Sequence, residues 1–367
     1  MERELQILQA EVNRKLGENA KDIGETITKI TQTGTLLDDY LPPVKAVSFI
    51  PSLDQDEDKY EILMNFEVGG QQVSKTVHPH AVGQLGSKLG IPSAYLREIW
   101  TGKGWQKNAA ARLLNEYTDH ASRERILVRS YDGQIRGVLS DRYRRLNTMK
   151  LFLAFLMAVK DTGSKIVRAH AGDTKNFLEV IDPEIVHFDT PKNGKSYAIF
   201  GSRIRNSDFG DGAMEVNRFM MNVVCMNGMV GQSVLNKVHL GGRIPDNLIV
   251  SERTMIKDTE ATASLITDAV GQLYQPQTRL EMVEKIQDAS NISVDFEQEV
   301  KKLPKLGISK AEIEALEKIL MNNDPANGLQ GEPTKWKFNN ALTAVARESE
   351  PERQRELETI AGSMLGI

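Results

Sequence analysis

Residues 123–150 read RERILVRSYDGQIRGVLSDRYRRLNTMK. Two runs in which apolar and polar residues alternate flank Asp132-Gly133, the pair most favourable to a tight β-hairpin, because glycine supplies the positive φ such a turn demands. The turn is expected at Tyr131-Asp132-Gly133-Gln134. Seven arginines and Lys150 stand here against Glu124, Asp132 and Asp141, a local balance of +5 on a chain whose net charge is −4. Positive charge has been gathered into one stretch, which points to a surface for a polyanion rather than to a reaction.

Working outward, residues 149–159 form a strongly apolar helix, expected to lie under the sheet. KIVRAHA and KNFLEVI then pair about Gly172-Asp173, and SYAIFGSRIRNSD and AMEVNRFMMNVVCMNGMVG about the FGDG link. Upstream, VKAVSFI is extended, 54–58 is an acidic loop, and YEILMNFEV and QQVSKTV flank Gly69-Gly70 as another hairpin. Hairpins with one apolar helix among them indicate an α+β fold with a mostly antiparallel sheet packed on helices. Leu5, Leu8, Val12, Leu16, Ile23, Ile27 and Ile30 recur at helical spacing before residue 34, so the chain opens with a helix that packs on its own domain or docks on a neighbouring subunit. From Thr259 the pattern is helical to the end, and residues 281–367 carry 16 acidic against 11 basic side chains. Three regions follow: an N-terminal helical arm (1–41), an α+β core (42–258) and an acidic helical C-terminal region (259–367).

With 367 residues, 40% hydrophobic and 26% charged, the chain has the composition of an ordinary globular protein, and its net charge excludes a generally basic, histone-like binder. The single cysteine, Cys225, excludes an internal disulfide and any cysteine-based zinc site, and suits a reducing cytoplasm. The amphipathic, Glu-bearing start is no signal peptide, and the longest apolar run, Leu151 to Val159, is too short to cross a bilayer. A cytoplasmic protein is expected.

Several motifs invite specific chemistry. In HPHAVGQLGSKLGIPSAYLREIW a helix from about His80 to Leu89 stops at Gly90, and Pro92 begins another, so Gly86, Gly90, Ile91, Leu96 and Ile99 match a helix-turn-helix unit. Its second helix offers Ser93, Tyr95, Arg97 and Glu98, a poor set for reading bases, so a plain helical hairpin is the better reading. His78 and His80 have no cysteine nearby and suit a helix cap or the surface better than a metal. Gly194-Lys195-Ser196 ends like a phosphate loop, but Asp189 stands where the first glycine belongs. Asp208, Asp211 and Glu215 surround Gly210 and Gly212 and could hold Mg²⁺ as a nuclease would. Cys225, among apolar neighbours, reads as a buried thiol. No cofactor and no small-molecule substrate is indicated.

The arginines remain. Arg129, Tyr131 and Arg136 on the hairpin, then Arg142, Tyr143, Arg144, Arg145 and Lys150, with Arg203 and Arg205 on a later strand, combine guanidinium groups for phosphates with aromatic faces for bases. The same pattern also suits arginines that cover a solvated sheet face or pair with carboxylates. Four stretches further resemble the uncharacterised phage/plasmid-like protein family, a domain of unknown function found in phage and plasmid genomes. They are HPHAVGQLGSKLGIPSAYL, LVRSYDGQIRGVLSDRYRRLN, SDFGDGAMEVNRFMMNVVCMNGMV and TKWKFNNALTAVAR, which span about residues 78–347. The resemblance implies an accessory gene of a mobile element and a DNA-side role, with no catalytic residues to carry over. The leading expectation is a non-enzymatic homo-oligomer that binds single-stranded DNA and promotes annealing in recombination. The alternatives are a Mg²⁺-dependent nuclease using Asp208, Asp211 and Glu215, and a protein-binding anti-defence module.

Overall fold

Chain pairing divides the strands between two sheets rather than one. The computed structural model describes residues 2–52, 61–224, 226–237, 250–323 and 328–367. The expected acidic loop at 54–58 and Cys225 lie outside the described residues. The fold is α+β with antiparallel strand pairing throughout, except at one place in the first sheet.

A long helix, α1 (Glu2–Thr35), opens the chain. The first sheet comprises β1 (Leu37–Tyr40), β2 (Ser48–Pro51), β3 (Ile62–Val68), β4 (Gln71–Val77), β5 (Ile126–Tyr131) and β6 (Gln134–Ser140), in the order β1-β5-β6-β4-β3-β2. The Asp132-Gly133 turn joins β5 to β6 with φ of 49° and 76° at its two central residues, the paired left-handed conformations of a tight hairpin. The exception is β4 beside β6, which is parallel: Thr76 and Val77 pair with Gln134 and Ile135. A parallel neighbour needs a crossover, and α2 (Pro79–Leu89), α3 (Ser93–Trp100) and α4 (Gly104–Asp119) supply it. These three helices bury Leu85, Leu96 and Leu114 against Phe49, Met64, Phe66 and Val128 of the sheet. Each such leucine contributes about 1.5–3 kcal/mol.

The second sheet comprises β7 (Lys165–Ala171), β8 (Asn176–Ile181), β9 (Val186–Thr190), β10 (Gly194–Asn206), β11 (Met214–Asn222) and β12 (Asn227–Lys237). Its order is β12-β11-β10-β8-β7, with β9 paired to the start of β10. Two helices, α5 (Thr148–Lys160) and α6 (Glu252–Leu273), pack with Leu178, Val180, Ile204 and Val216 of this sheet, joined by Ile30 of α1. The other half of α1 lays Leu5, Leu8, Val12 and Leu16 against Val167 and Phe219, so its apolar stripe is covered by its own chain.

C-terminal helices α7 (Pro276–Asn291), α8 (Phe296–Val300), α9 (Lys310–Asn322), α10 (Lys335–Arg347) and α11 (Pro351–Leu365) gather around Trp336 and Phe338 and meet the sheet at Phe200, Met220 and Met229. No helix among the described residues is long and apolar enough to cross a membrane.

Candidate nucleic-acid interface

The basic hairpin lies in the middle of the first sheet, with β1 on one side and β4 on the other. A central position explains where its arginines go. Both faces of β5 are covered, and a buried guanidinium must find acceptors within the protein. Arg129, 3% exposed, donates from Nε to Asp39 Oδ1 at 2.7 Å and from Nη1 to the Asp208 carbonyl at 2.6 Å. Burial works against its charge, but Asp39 and Asp208 outweigh that and hold its pKa above the usual value. Arg145 reaches the other oxygen of Asp39 at 3.4 Å. Arg144 donates to Asp258 on α6 at 2.7 Å, and Arg136 rests over the Tyr131 ring while donating to the Asp173 carbonyl at 3.2 Å.

Tyr143 is buried and donates its hydroxyl to the Ser207 carbonyl at 3.2 Å. On the second sheet Arg205 pairs with Glu215 at 2.9 Å, and Arg203 is buried at 2% exposure. Lys150 is exposed on the first turn of α5. These residues are therefore not all presented on one open face. Arg129, Tyr143 and Arg203 face the interior, and Arg136, Arg144, Arg145 and Arg205 are engaged by carboxylates or carbonyls of their own chain. Arg142 lines an open depression together with Lys88 and Arg123.

The carboxylates weighed for Mg²⁺ are also apart in their roles. Asp208 is buried and accepts from the Thr148 amide at 3.0 Å, Asp211 accepts from the Thr174 hydroxyl at 2.6 Å, and Glu215 holds Arg205. Among the described residues no group of three or more His, Cys, Asp or Glu is placed to hold a metal ion.

A different surface does gather cations. Three adjoining depressions, of about 390, 580 and 780 Å³, run between the α2–α4 helices and the β6 end of the hairpin. Lys88 and Arg123 line all three, and Arg142 lines two, so they form one groove. Arg97 adds a fourth cation at its α3 wall. Neither Lys88 nor Arg97 has a carboxylate partner among the described residues. Burial, and then the nearby Arg123 charge, push the Lys88 ammonium below its ordinary pKa. Glu116, Glu124 and Asp141 stand along the same groove, and Asp141 lies 3.7 Å from Arg123. Tyr117, 40% exposed, lines the depression at one end and offers a ring face.

Local sequence explains why the groove exists. His78 caps α2 by accepting from the His80 amide at 3.2 Å, Pro79 occupies the first turn, and Gly90 ends the helix at φ 78°. A side chain at Gly86 would meet the Ile91 carbonyl at 2.9 Å, so glycine permits the tight turn into α3. A Cβ at Gly83 would fall 2.1 Å from Arg97 Nη2, so the bare backbone there is the seat on which the guanidinium rests. Gln84 fixes α2 to the hairpin, accepting from the Val138 amide at 2.7 Å and donating to the Phe209 carbonyl at 2.8 Å. Lys88, Arg97, Tyr117 and Arg123 were not among the residues the sequence singled out for binding, although Arg123 lies in the basic stretch. A lone Lys or Arg on a helix carries no periodic signal, and only the crossover packing of α2–α4 brings Lys88, Arg97 and Tyr117 beside Arg123 and Arg142.

No protein-family model matches this chain, and no curated protein or solved structure shows significant similarity to it.

Proposed function

We propose that the protein binds single-stranded DNA in the groove of Lys88, Arg97, Arg123 and Arg142, and that an oligomer presents the bound strand for annealing. The observation that carries this reading is the pair Lys88 and Arg97, cations without a carboxylate partner among the described residues, beside Arg123 in one continuous depression. A row of such groups tracks a phosphate backbone, and Tyr117 supplies the aromatic face on which a base stacks. Among the described residues Gln84 is the one amide side chain lining the groove, and it is already committed to the Val138 amide and the Phe209 carbonyl, so the binding is blind to sequence.

Binding of a short labelled oligonucleotide, followed by fluorescence anisotropy, tests the proposal. Lys88→Glu with Arg97→Glu is expected to weaken binding at least about tenfold, equivalent to ~1.4 kcal/mol. Arg144→Ala, which removes a guanidinium held by Asp258, is expected to leave affinity near wild type. Equal affinity in the groove variant and wild type would exclude this groove as the site.

A further inference from the structure

A second ionic site lies under α11, and it shares no residue with the groove. In the register of the second sheet Glu179 on β8 sits between Arg168 on β7 and Arg203 on β10. One row across three strands thus reads Arg-Glu-Arg. Helix α11 adds Arg355 and Glu358 above it, three residues apart and so on one face. Three guanidinium groups meet two carboxylates, and all five side chains are largely buried.

The carboxylates are unequally shared. Arg168 lies 2.5 Å from Glu179 through Nε and donates to both oxygens of Glu358 at 2.7 and 3.1 Å. Arg355 approaches Glu179 at 3.5 Å, stacks on Phe177 and donates to the Pro351 carbonyl. Arg203 is left over. Among the described residues its only hydrogen bond is a long one, 3.4 Å, from Nη2 to the exposed Thr359 hydroxyl. Its Nε and Nη1 have no acceptor among the described residues, although the residue is 2% exposed. A buried guanidinium with unpaired donors is among the more costly arrangements a protein can keep.

Arg203 and Arg355 line an open cavity of about 340 Å³. That volume is roughly ten times the ~30 Å³ one water takes up in the liquid, so it admits more than a simple ion. Lys175, Arg205 and Arg353 stand at the same cavity, each held by its own carboxylate: Asp211, Glu215 and Glu312 respectively. Glu352 and Glu356 also line it, Glu356 paired with Arg353 at 2.8 Å, so the uncompensated charge at this cavity is that of the buried row. Leu306, Ile360 and Phe177 complete the wall with apolar surface.

We propose that this cavity is a binding site for a phosphate group carried by a small organic ester of nucleotide size, with Arg203 and Arg355 as the phosphate ligands. Planar guanidinium forks match phosphate oxygens in pairs, and a dianion supplies the charge the buried row lacks. Burial and the neighbouring Arg168 and Arg203 depress Arg355 to about 9, and burial also lowers Arg203, which is the state a bound anion relieves. The ligand class is one that the sequence alone did not indicate.

Calorimetric titration and thermal melting of the full chain, with inorganic phosphate and adenosine monophosphate as probes and chloride at matched ionic strength as control, test the proposal. Binding to the native state raises the melting temperature with probe concentration. Tighter binding of adenosine monophosphate than of phosphate supports an ester ligand, whereas equal binding reassigns the site to free phosphate and overturns the ester. Arg203→Gln is expected to weaken binding at least tenfold. Because that change touches the buried row, Thr359→Glu serves as the second variant. It sets a carboxylate beside Arg203 from an exposed position, and is expected to raise the melting temperature without ligand and abolish the response to either probe. No response of the wild type beyond chloride, or an undiminished response in Thr359→Glu, would overturn the site.

Discussion

Arg129 shows how a single side chain changes its meaning between sequence and fold. In the sequence it is one of seven arginines in a basic run; in the fold it is a buried strut between Asp39 and the Asp208 carbonyl. Removing one member of a buried pair strands the other, so Arg129→Ala is expected to cost about 3–5 kcal/mol in denaturant unfolding. Its effect on DNA binding should appear only through that loss of stability. Glu312 makes a prediction for pH. It accepts from Arg353 at 2.7 and 2.8 Å, and also caps α9 through the Ser309 amide. The hydrogen bond from Arg353 is the main cause that holds its carboxyl at about 2, below the ordinary 4.5. A lowered carboxylate pKa stabilises the fold fully above 4.5, and that contribution disappears as pH falls towards 2. Melting curves across this window are expected to fall less steeply for Glu312→Gln than for wild type. The acceptors of these arginines could not be found by reading along the chain, since Asp39 lies ninety residues from Arg129 and Asp258 more than a hundred from Arg144.

Turn and cap chemistry was the most legible part of the elements. Asp132-Gly133 and Gly90 both act within a few residues, and each stands where local geometry demands it. The helical hairpin at 79–100 was readable for the same reason, down to the buried Ile91, Leu96 and Ile99. The parallel pairing of β4 with β6 was not legible, because it depends on a crossover of three helices rather than on any local signal. Two glycines in helices test the packing inferred here. A Cβ at Gly362 on α11 would lie 1.9 Å from the Val230 carbonyl of β12, whereas Gly271 on α6 has nothing within 4 Å. Alanine at 362 is expected to destabilise by at least about 1–3 kcal/mol, despite its better helix propensity. Alanine at 271 is expected to stabilise by up to ~1 kcal/mol. Gly83→Ala should leave the melting temperature close to wild type, since the clash is with the flexible end of Arg97, yet weaken DNA binding by unseating that guanidinium.

At the scale of the molecule, the two sheets divide the work of their arginines. The first sheet buries Arg129 and engages Arg136, Arg144 and Arg145 with acceptors of its own chain, and leaves its open groove to residues of the crossover helices and their flanks. The second sheet gathers a buried ionic row beneath α11. Fold class was readable because hairpins and helices announce themselves by period; the location of the groove was not, because it forms between elements far apart in the chain. A net charge of −4 keeps the rest of the surface unattractive to nucleic acid, so strand binding should depend strongly on these few groups. The measurement that bears most directly on this claim is the salt dependence of single-stranded DNA affinity, compared between wild type and the Lys88→Ala, Arg97→Ala, Arg123→Ala triple variant. Loss of three phosphate contacts predicts that the slope of log affinity against log salt falls by about 2, at about 0.7 per contact on single strands. An unchanged slope in a folded triple variant, or no salt-dependent binding by the wild type, would contradict it.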